Sequence, residues 1–267
     1  MRGAMDRRRV AVCRELADRV SAVVEFRGAS FRIGAREILK GLTLSVEAGE
    51  TLALLGRSGS GKTTALKMVN GLLYPSAGEV YVDGRETRAW EPVRLKRHIG
   101  YVIQEIGLFP HYTVAENVAL VPWLEKWEEA RIRARVAALL EQVGLDPDQF
   151  AGRYPRELSG GQRQRVGVAR ALAADPSVLL FDEPFGALDP VTRLELQKQF
   201  LALRRDLAKT AIFVTHDVRE ALMLGTRIAL LREGALEVAV TPPEFLETRN
   251  GEARAFLACL DWQAHQP

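Results

Sequence analysis

The stretch Thr51 to Thr64, T-L-A-L-L-G-R-S-G-S-G-K-T-T, constrains this chain more than any other. Leu52 to Leu55 make an apolar run of strand length, Gly56, Gly59 and Gly61 permit a backbone path that side chains would block, and Thr63 onward suits a helix. A buried strand that turns through G-x-x-x-x-G-K-[ST] into a helix is a cradle for phosphate. Backbone N–H groups from about Gly59 to Thr64 point inward at an anion, and the helix adds the positive end of its dipole. The expected nucleotide contacts are Gly56, Arg57, Ser58, Gly59, Ser60, Gly61, Lys62, Thr63 and Thr64. Among them Lys62 reaches the β- and γ-phosphates, and the Thr63 hydroxyl is placed to bind Mg²⁺.

A chain of 267 residues with 47% apolar content can bury one large core, as one domain or as a core with a subdomain. Net charge is only +3, yet Arg2, Arg7, Arg8, Arg9, Arg14 and Arg19 crowd the start, a run that reads first as a solvated leader and second as a patch for a membrane surface or nucleic acid. Val10, Cys13, Ala17 and Val20 fall at helical spacing, so residues 6 to 20 suit a short amphipathic helix; an upstream mis-assigned start is the other reading. Cys13 and Cys259 are far apart without metal-type spacing, which suggests a reducing compartment and no disulfide framework. No apolar run approaches the roughly 18 residues of a membrane span, and Val10 to Cys13 is too short for a signal-peptide core.

Between Ala22 and Val46 the pieces V-V-E-F, A-S-F-R-I and L-T-L-S-V, separated by Gly28, Gly34 and Gly41, predict antiparallel strands joined by turns. The helix after the cradle runs to Asn70-Gly71, a C-cap signal. Glu79 to Val82 and Ile99 to Ile103 read as strands, after which strand signals vanish for some seventy residues. Trp127 to Val143 predicts a helix with Ile132, Val136, Leu139, Leu140 and Val143 on one face. Strands resume at Val178–Phe181, Ala211–Val214 and Arg227–Leu231, alternating with helices at Val191–Leu207 and Val218–Leu224, which implies a parallel core sheet. The expected fold is therefore α/β, a mixed core sheet with an antiparallel β subdomain and an inserted helical subdomain. Its expected divisions are a basic leader at 1–21, a nucleotide-binding core at 22–104 and 176–240, a helical subdomain at 105–175 and a helical tail at 241–267.

V-L-L-F-D-E-P, Val178 to Pro184, delivers two carboxylates at the C-terminal end of a buried strand, where α/β sheets bind ligands. Asp182 suits a water-mediated hold on Mg²⁺, and Glu183 suits polarising the water that attacks the γ-phosphate. L-S-G-G-Q, Leu158 to Gln162, exposes a second helix N-terminus through two glycines and adds the Ser159 hydroxyl. Read plainly, it is a Ser N-cap with a glycine turn. One nucleotide does not need two phosphate sites from one chain, unless two copies meet head to tail and each caps the other's γ-phosphate.

These motifs in this order resemble the ATP-binding cassette superfamily, over about residues 22 to 240. The resemblance implies that Gln104 is a glutamine loop bridging Mg²⁺ and water, that Ser159, Gly160, Gly161 and Gln162 form the signature, and that Asp189 belongs to a D-loop with Ala187 and Leu188. It implies that His216 is a switch histidine sensing γ-phosphate, with catalysis shared among Glu183, His216 and Gln104, metal held by Thr63, Gln104 and Asp182, and ATP and Mg²⁺ as cofactors. Members usually stack an aromatic residue on adenine; counting back from Lys40 puts Ile33 there, with Phe31 two residues earlier.

One phosphate loop, one signature and no room for coiled coil between Gln104 and Leu158 fit a separate ATPase subunit of a membrane importer. Arg97 to Pro122 and Asp182 to Pro190 are similar to the osmoprotectant group, whose solutes are quaternary amines such as glycine betaine, carnitine or choline. Another small solute is the alternative, and a soluble cassette ATPase acting on nucleic acid a further one. The resemblance implies transmembrane permease subunits, indirectly a solute-binding protein, and a second copy of the chain as partners, no nucleic acid, and a place at the cytoplasmic face of the cell membrane. Many of that group continue into a pair of regulatory CBS modules; here the sequence ends at Pro267 after a single predicted helix, Glu252 to Leu260, so sensing by such modules is not implied.

Overall fold

The computed structural model describes residues 22–103, 107–186, 188–207 and 209–264. The basic leader with its expected helix, Gln104 and Ala187 lie outside the described residues. Two sheets organise the rest. Strands β1 (Ala22–Ile33), β2 (Arg36–Glu47), β4 (Ala77–Val82) and β5 (Arg85–Glu86) form an antiparallel sheet in the order β2-β1-β4-β5. Strands β3 (Thr51–Leu55), β6 (Ile99–Val102), β7 (Val178–Asp182), β8 (Thr210–Thr215), β9 (Arg227–Arg232) and β10 (Ala235–Val240) form the second, in the order β10-β9-β3-β8-β7-β6. All its pairings are parallel except β9 with β10.

Every residue of β3, β7 and β8 is buried, as the continuous apolar runs of a covered parallel sheet require. Alternate residues serve opposite cores. Ala53, Leu55, Leu179, Phe181, Ala211 and Phe213 join a core built with helices α3 (Val114–Leu124), α4 (Glu129–Gln142), α6 (Gly160–Leu172) and α7 (Pro190–Leu207). Leu52, Leu54, Val178, Leu180, Ile212 and Val214 face the antiparallel sheet and helix α1 (Lys62–Val69). The parallel sheet is thus the middle layer, and its strand ends are fixed from both sides.

Three sequence expectations change in detail. Gly28 and Gly41 do not end strands: both have φ near +60° inside long strands where the β1–β2 register shifts, so they make bulges, while Gly34 at φ +58° makes the hairpin turn with Ala35. A positive-φ glycine looks the same in sequence in either setting. Helix α3 was not anticipated. Thr113 and Glu116 form a reciprocal capping box at its start, and the buried Asn117 ties the preceding loop by accepting from the Phe109 amide and donating to the Tyr112 carbonyl. The tail holds two helices, α9 (Pro242–Glu247) and α10 (Gly251–Ala264), rather than one.

The remaining helices are α2 (Pro92–His98), α5 (Pro147–Phe150) and α8 (Val218–Leu224). Helix α6 lies directly on β6: a Cβ at Gly100 would meet the Ala171 carbonyl oxygen at 2.4 Å, so only glycine permits the approach. No helix among the described residues is long and apolar enough to cross a membrane.

Candidate nucleotide site and signature helix

β3 delivers the chain into the Gly56–Gly61 loop, and α1 leaves it. Gly56 has no room for a side chain, since a Cβ would lie 2.4 Å from the Leu231 carbonyl oxygen and 2.6 Å from Ser60 Oγ. Gly61 sits at φ +98° as the N-cap of α1, and a Cβ there would meet Leu39 Cδ2 at 2.7 Å and the Ile38 oxygen at 2.9 Å. The loop is therefore pressed between β9 on one side and β2 on the other. No side chain caps α1, which leaves its first amides for an incoming anion.

Lys62 is 5% exposed and donates from Nζ to the carbonyls of Gly56 (2.8 Å) and Arg57 (2.9 Å). Burial lowers its pKa, and the charges of Glu183 and Asp182 oppose that shift. Across from it the Thr63 hydroxyl donates to Asp182 Oδ1 at 2.8 Å, and the Tyr101 hydroxyl donates to Oδ2 at 3.3 Å. Burial first, then the charge of Asp182, raises the Tyr101 phenol well above its ordinary value.

These groups fit Mg²⁺. A hydroxyl and a carboxylate are the hard oxygen donors this ion takes in small number, with water and phosphate oxygens filling the rest of its shell. Among the described residues no cluster of three or more His, Cys, Asp or Glu side chains is placed to hold a metal.

Parallel pairing of Asp182 with Val214 brings the ends of the two strands together, Glu183 following one and His216 the other. Glu183 Oε2 lies 3.3 Å from His216 Nδ1, with the histidine side chain 57% exposed and the glutamate 21%. Glu183 takes φ +47°, a conformation that costs a non-glycine residue about 1–3 kcal/mol and is typical of functional sites. Its amide donates to the Val214 carbonyl, which holds it there.

A buried network supports the histidine. Thr215 donates to Glu220 Oε2 (2.6 Å) and accepts from the Asp217 amide (3.0 Å), while Gln197 of α7 donates to Glu220 Oε1 (3.1 Å). Desolvation raises the pKa of Glu220, and the hydrogen bond from Thr215 opposes it. Neither Tyr101 nor Glu220 was among the sequence candidates. D-x-x-E at Asp217–Glu220 reads as a helix cap, and nothing local says that the glutamate turns inward.

The signature residues are gathered at the start of α6. Ser159 Oγ accepts from the Gln162 amide (3.2 Å), and Gln162 Oε1 accepts from the Ser159 amide (2.9 Å), a closed capping box. Gly160 is open, whereas a Cβ on Gly161 would strike Thr192 Cγ2 at 2.4 Å. Asp189 caps α7 by accepting from the Val191 and Thr192 amides. Its carboxyl is held below the usual range, first by the Thr192 hydroxyl and then by the Thr192 amide.

Ile33, at the hairpin tip, is 65% exposed, and Phe31 packs against the core beneath the antiparallel sheet. Ile33 pairs with Arg36 across a two-residue turn, and the register shifts between Phe31 and Arg32.

A phosphate cradle, a strand-end Asp-Glu pair beside a histidine, and a capped L-S-G-G-Q helix inserted between two strands of one sheet define an ATP-binding cassette. The chain belongs to the ABC transporter family, whose model matches residues 39–186. It is 48% identical over 219 residues, 82% of this chain and 57% of the relative, to the glycine betaine/carnitine/choline transport ATP-binding protein OpuCA of Bacillus subtilis. It is 52% identical over 205 residues to the osmoprotectant import ATP-binding protein OsmV of Salmonella typhimurium, covering 77% and 54%. A sulfate/thiosulfate import ATP-binding protein, CysA of Bradyrhizobium diazoefficiens, is 47% identical over 229 residues, covering 84% and 65%. The chain thus spans little more than half the length of the two osmoprotectant relatives. Among solved structures, the dimeric post-hydrolysis state of an ATP-binding cassette bound to ADP and Pi superposes with a TM-score of 0.72 at 35% identity, covering 82% of this chain and 98% of that one.

Proposed function

We propose that this chain is the ATP-hydrolysing subunit of an importer, working at the cytoplasmic face of the cell membrane on a separate permease fed indirectly by a solute-binding protein. The observation that carries the reading is the placement of Glu183 and His216, 3.3 Å apart, one residue beyond the strand end that holds Asp182 against Thr63. In this reading residues 22–104 and 176–240 are the ATP-binding core and 105–175 the helical unit.

Lys62 and the loop amides bind the β- and γ-phosphates, and Thr63, Asp182 and Gln104 hold Mg²⁺, which supplies charge neutralisation at the phosphates. Glu183 orients water toward the γ-phosphate, and His216 fixes that carboxylate and senses the phosphate. Ile33 covers adenine by apolar contact. Ser159 to Gln162 of a second copy, with Asp189 bridging, closes the site head to tail.

Likeness to OpuCA and OsmV supports a quaternary amine such as glycine betaine, carnitine or choline as the solute. The similar identity to CysA favours keeping another small solute as the second reading, because the permease and binding protein select what is carried. Glu183→Gln tests the mechanism. It removes the group that orients water and keeps the phosphate contacts, so turnover is expected to vanish while size-exclusion chromatography in Mg-ATP shows a dimer. A variant that stays monomeric under saturating ATP overturns the head-to-tail arrangement. Uptake of labelled glycine betaine by the reconstituted complex, against sulfate as control, decides the solute.

A further inference from the structure

Glu252, in the first turn of α10, is charged and only 7% exposed. A carboxylate so placed needs cationic partners to offset its lost hydration. It has two. Arg57 donates from Nε to Oε1 at 2.6 Å and from a terminal nitrogen to Oε2 at 3.4 Å, a two-pronged contact, and Arg232 Nε lies 3.8 Å from Oε2.

Arg57 belongs to the phosphate loop. Its side chain is otherwise turned to solvent, 69% exposed, so the loop gains this anchor from the tail alone. Its carbonyl oxygen has separate work: it accepts from Lys62 Nζ at 2.9 Å and from the Ser60 amide at 3.1 Å. One residue therefore carries the tail's carboxylate on its side chain and the phosphate-binding lysine on its backbone. A cavity of about 250 Å³ bordered by Arg57, Ser58, Glu233 and Glu252 separates loop from tail, so the ion pair, rather than close packing, spans the gap.

We infer that Glu252 is a positioning residue for nucleotide binding, acting through Arg57 to hold the phosphate loop and Lys62 in register. The matched family segment ends at residue 186, so this contact is supplied from outside it. The inference rests on the reading of the loop as the nucleotide site, and its test separates the two.

Binding of Mg-ATP to the full chain is measured by calorimetry for wild type, Lys62→Ala, Glu252→Gln, Arg57→Met and the double variant, with thermal melting alongside. Glu252→Gln keeps shape and removes charge. Each single variant at the ion pair is expected to weaken ATP about 3–10-fold, and the double no more than either alone, as groups acting through one interaction require. Arg57→Lys should fall between wild type and Arg57→Met. Unchanged affinity in Glu252→Gln or Arg57→Met, or losses that multiply in the double variant, overturns the inference. Should Glu252→Gln fail to fold, Arg57→Met and Arg57→Lys, at an exposed side chain, decide it alone: equal affinity in these two refutes the ion pair. Wild-type affinity in Lys62→Ala would instead sink the nucleotide-site reading itself.

Discussion

Two glycine-rich turns in this molecule lead into helices, and their ends are finished in opposite ways. At Gly61 helix α1 begins in a left-handed conformation with no side chain on its amides; at Ser159 helix α6 begins with two amides, those of Ser159 and Gln162, closed by a reciprocal box. The first end is left unfinished for an anion to complete. The second is closed only in part, with the Gly160 and Gly161 amides outside the box, and because a hydroxyl that accepts one bond can still donate, Ser159 retains an O–H that the proposed head-to-tail pairing would turn to a neighbour's phosphate. Under the proposed head-to-tail arrangement, the difference would separate a site that binds within one chain from a surface that contributes only when a second chain arrives.

Gly61→Ala should give the largest effect on this contrast. A Cβ at φ +98°, 2.7 Å from Leu39, forces the loop out of its path, and Mg-ATP affinity of the single chain is expected to fall about 100-fold by calorimetry. Retained affinity would mean that the open end does not depend on its glycine. Next is Ile33→Tyr. With phosphates doing most of the binding, a stacking ring added at the hairpin tip should tighten ATP about fivefold over GTP, by analogy with aromatic platforms worth about 1–3 kcal/mol per base. Phe31→Ala should act through stability alone, since Phe31 packs on the core. If Phe31→Ala weakens ATP in a folded chain and Ile33→Tyr does nothing, the roles of the two residues are exchanged. Ser159→Ala should be smallest. Loss of the cap costs about 1 kcal/mol, or about 2–4 °C in Tm, while one chain's ATP affinity stays within about twofold. A large loss of affinity in the monomer would erase the distinction between the two ends.

Legibility in the sequence followed the same division between local and distant. Gly56 to Thr64 and Val178 to Glu183 could be read because strand, turn and chemistry are contiguous, whereas the division into two cores could not, because β3, β7 and β8 are apolar on both faces. Helix α3 escaped because Val114 to Leu124 is apolar on nearly all sides and shows no period. Its T-x-x-E start was the signal available. Tyr101 on Asp182, Gln197 on Glu220 and Glu252 on Arg57 join segments far apart in the chain, and no local pattern announces such pairs.

The close contact of Gly100 with Ala171 has a mechanical meaning. It brings the far end of α6 onto a core strand with no side chain between the two backbones, while Ser159 stands at the other end of the helix. From Ser159 to Ala171 the helix is about 18 Å long at about 1.5 Å of rise per residue. A change of about 10° in the helix direction at that contact would carry Ser159 by about 3 Å, the length of one hydrogen bond. Any bulk added at Gly100 would push α6 off β6, and the position of the signature end would change without a single signature residue being touched.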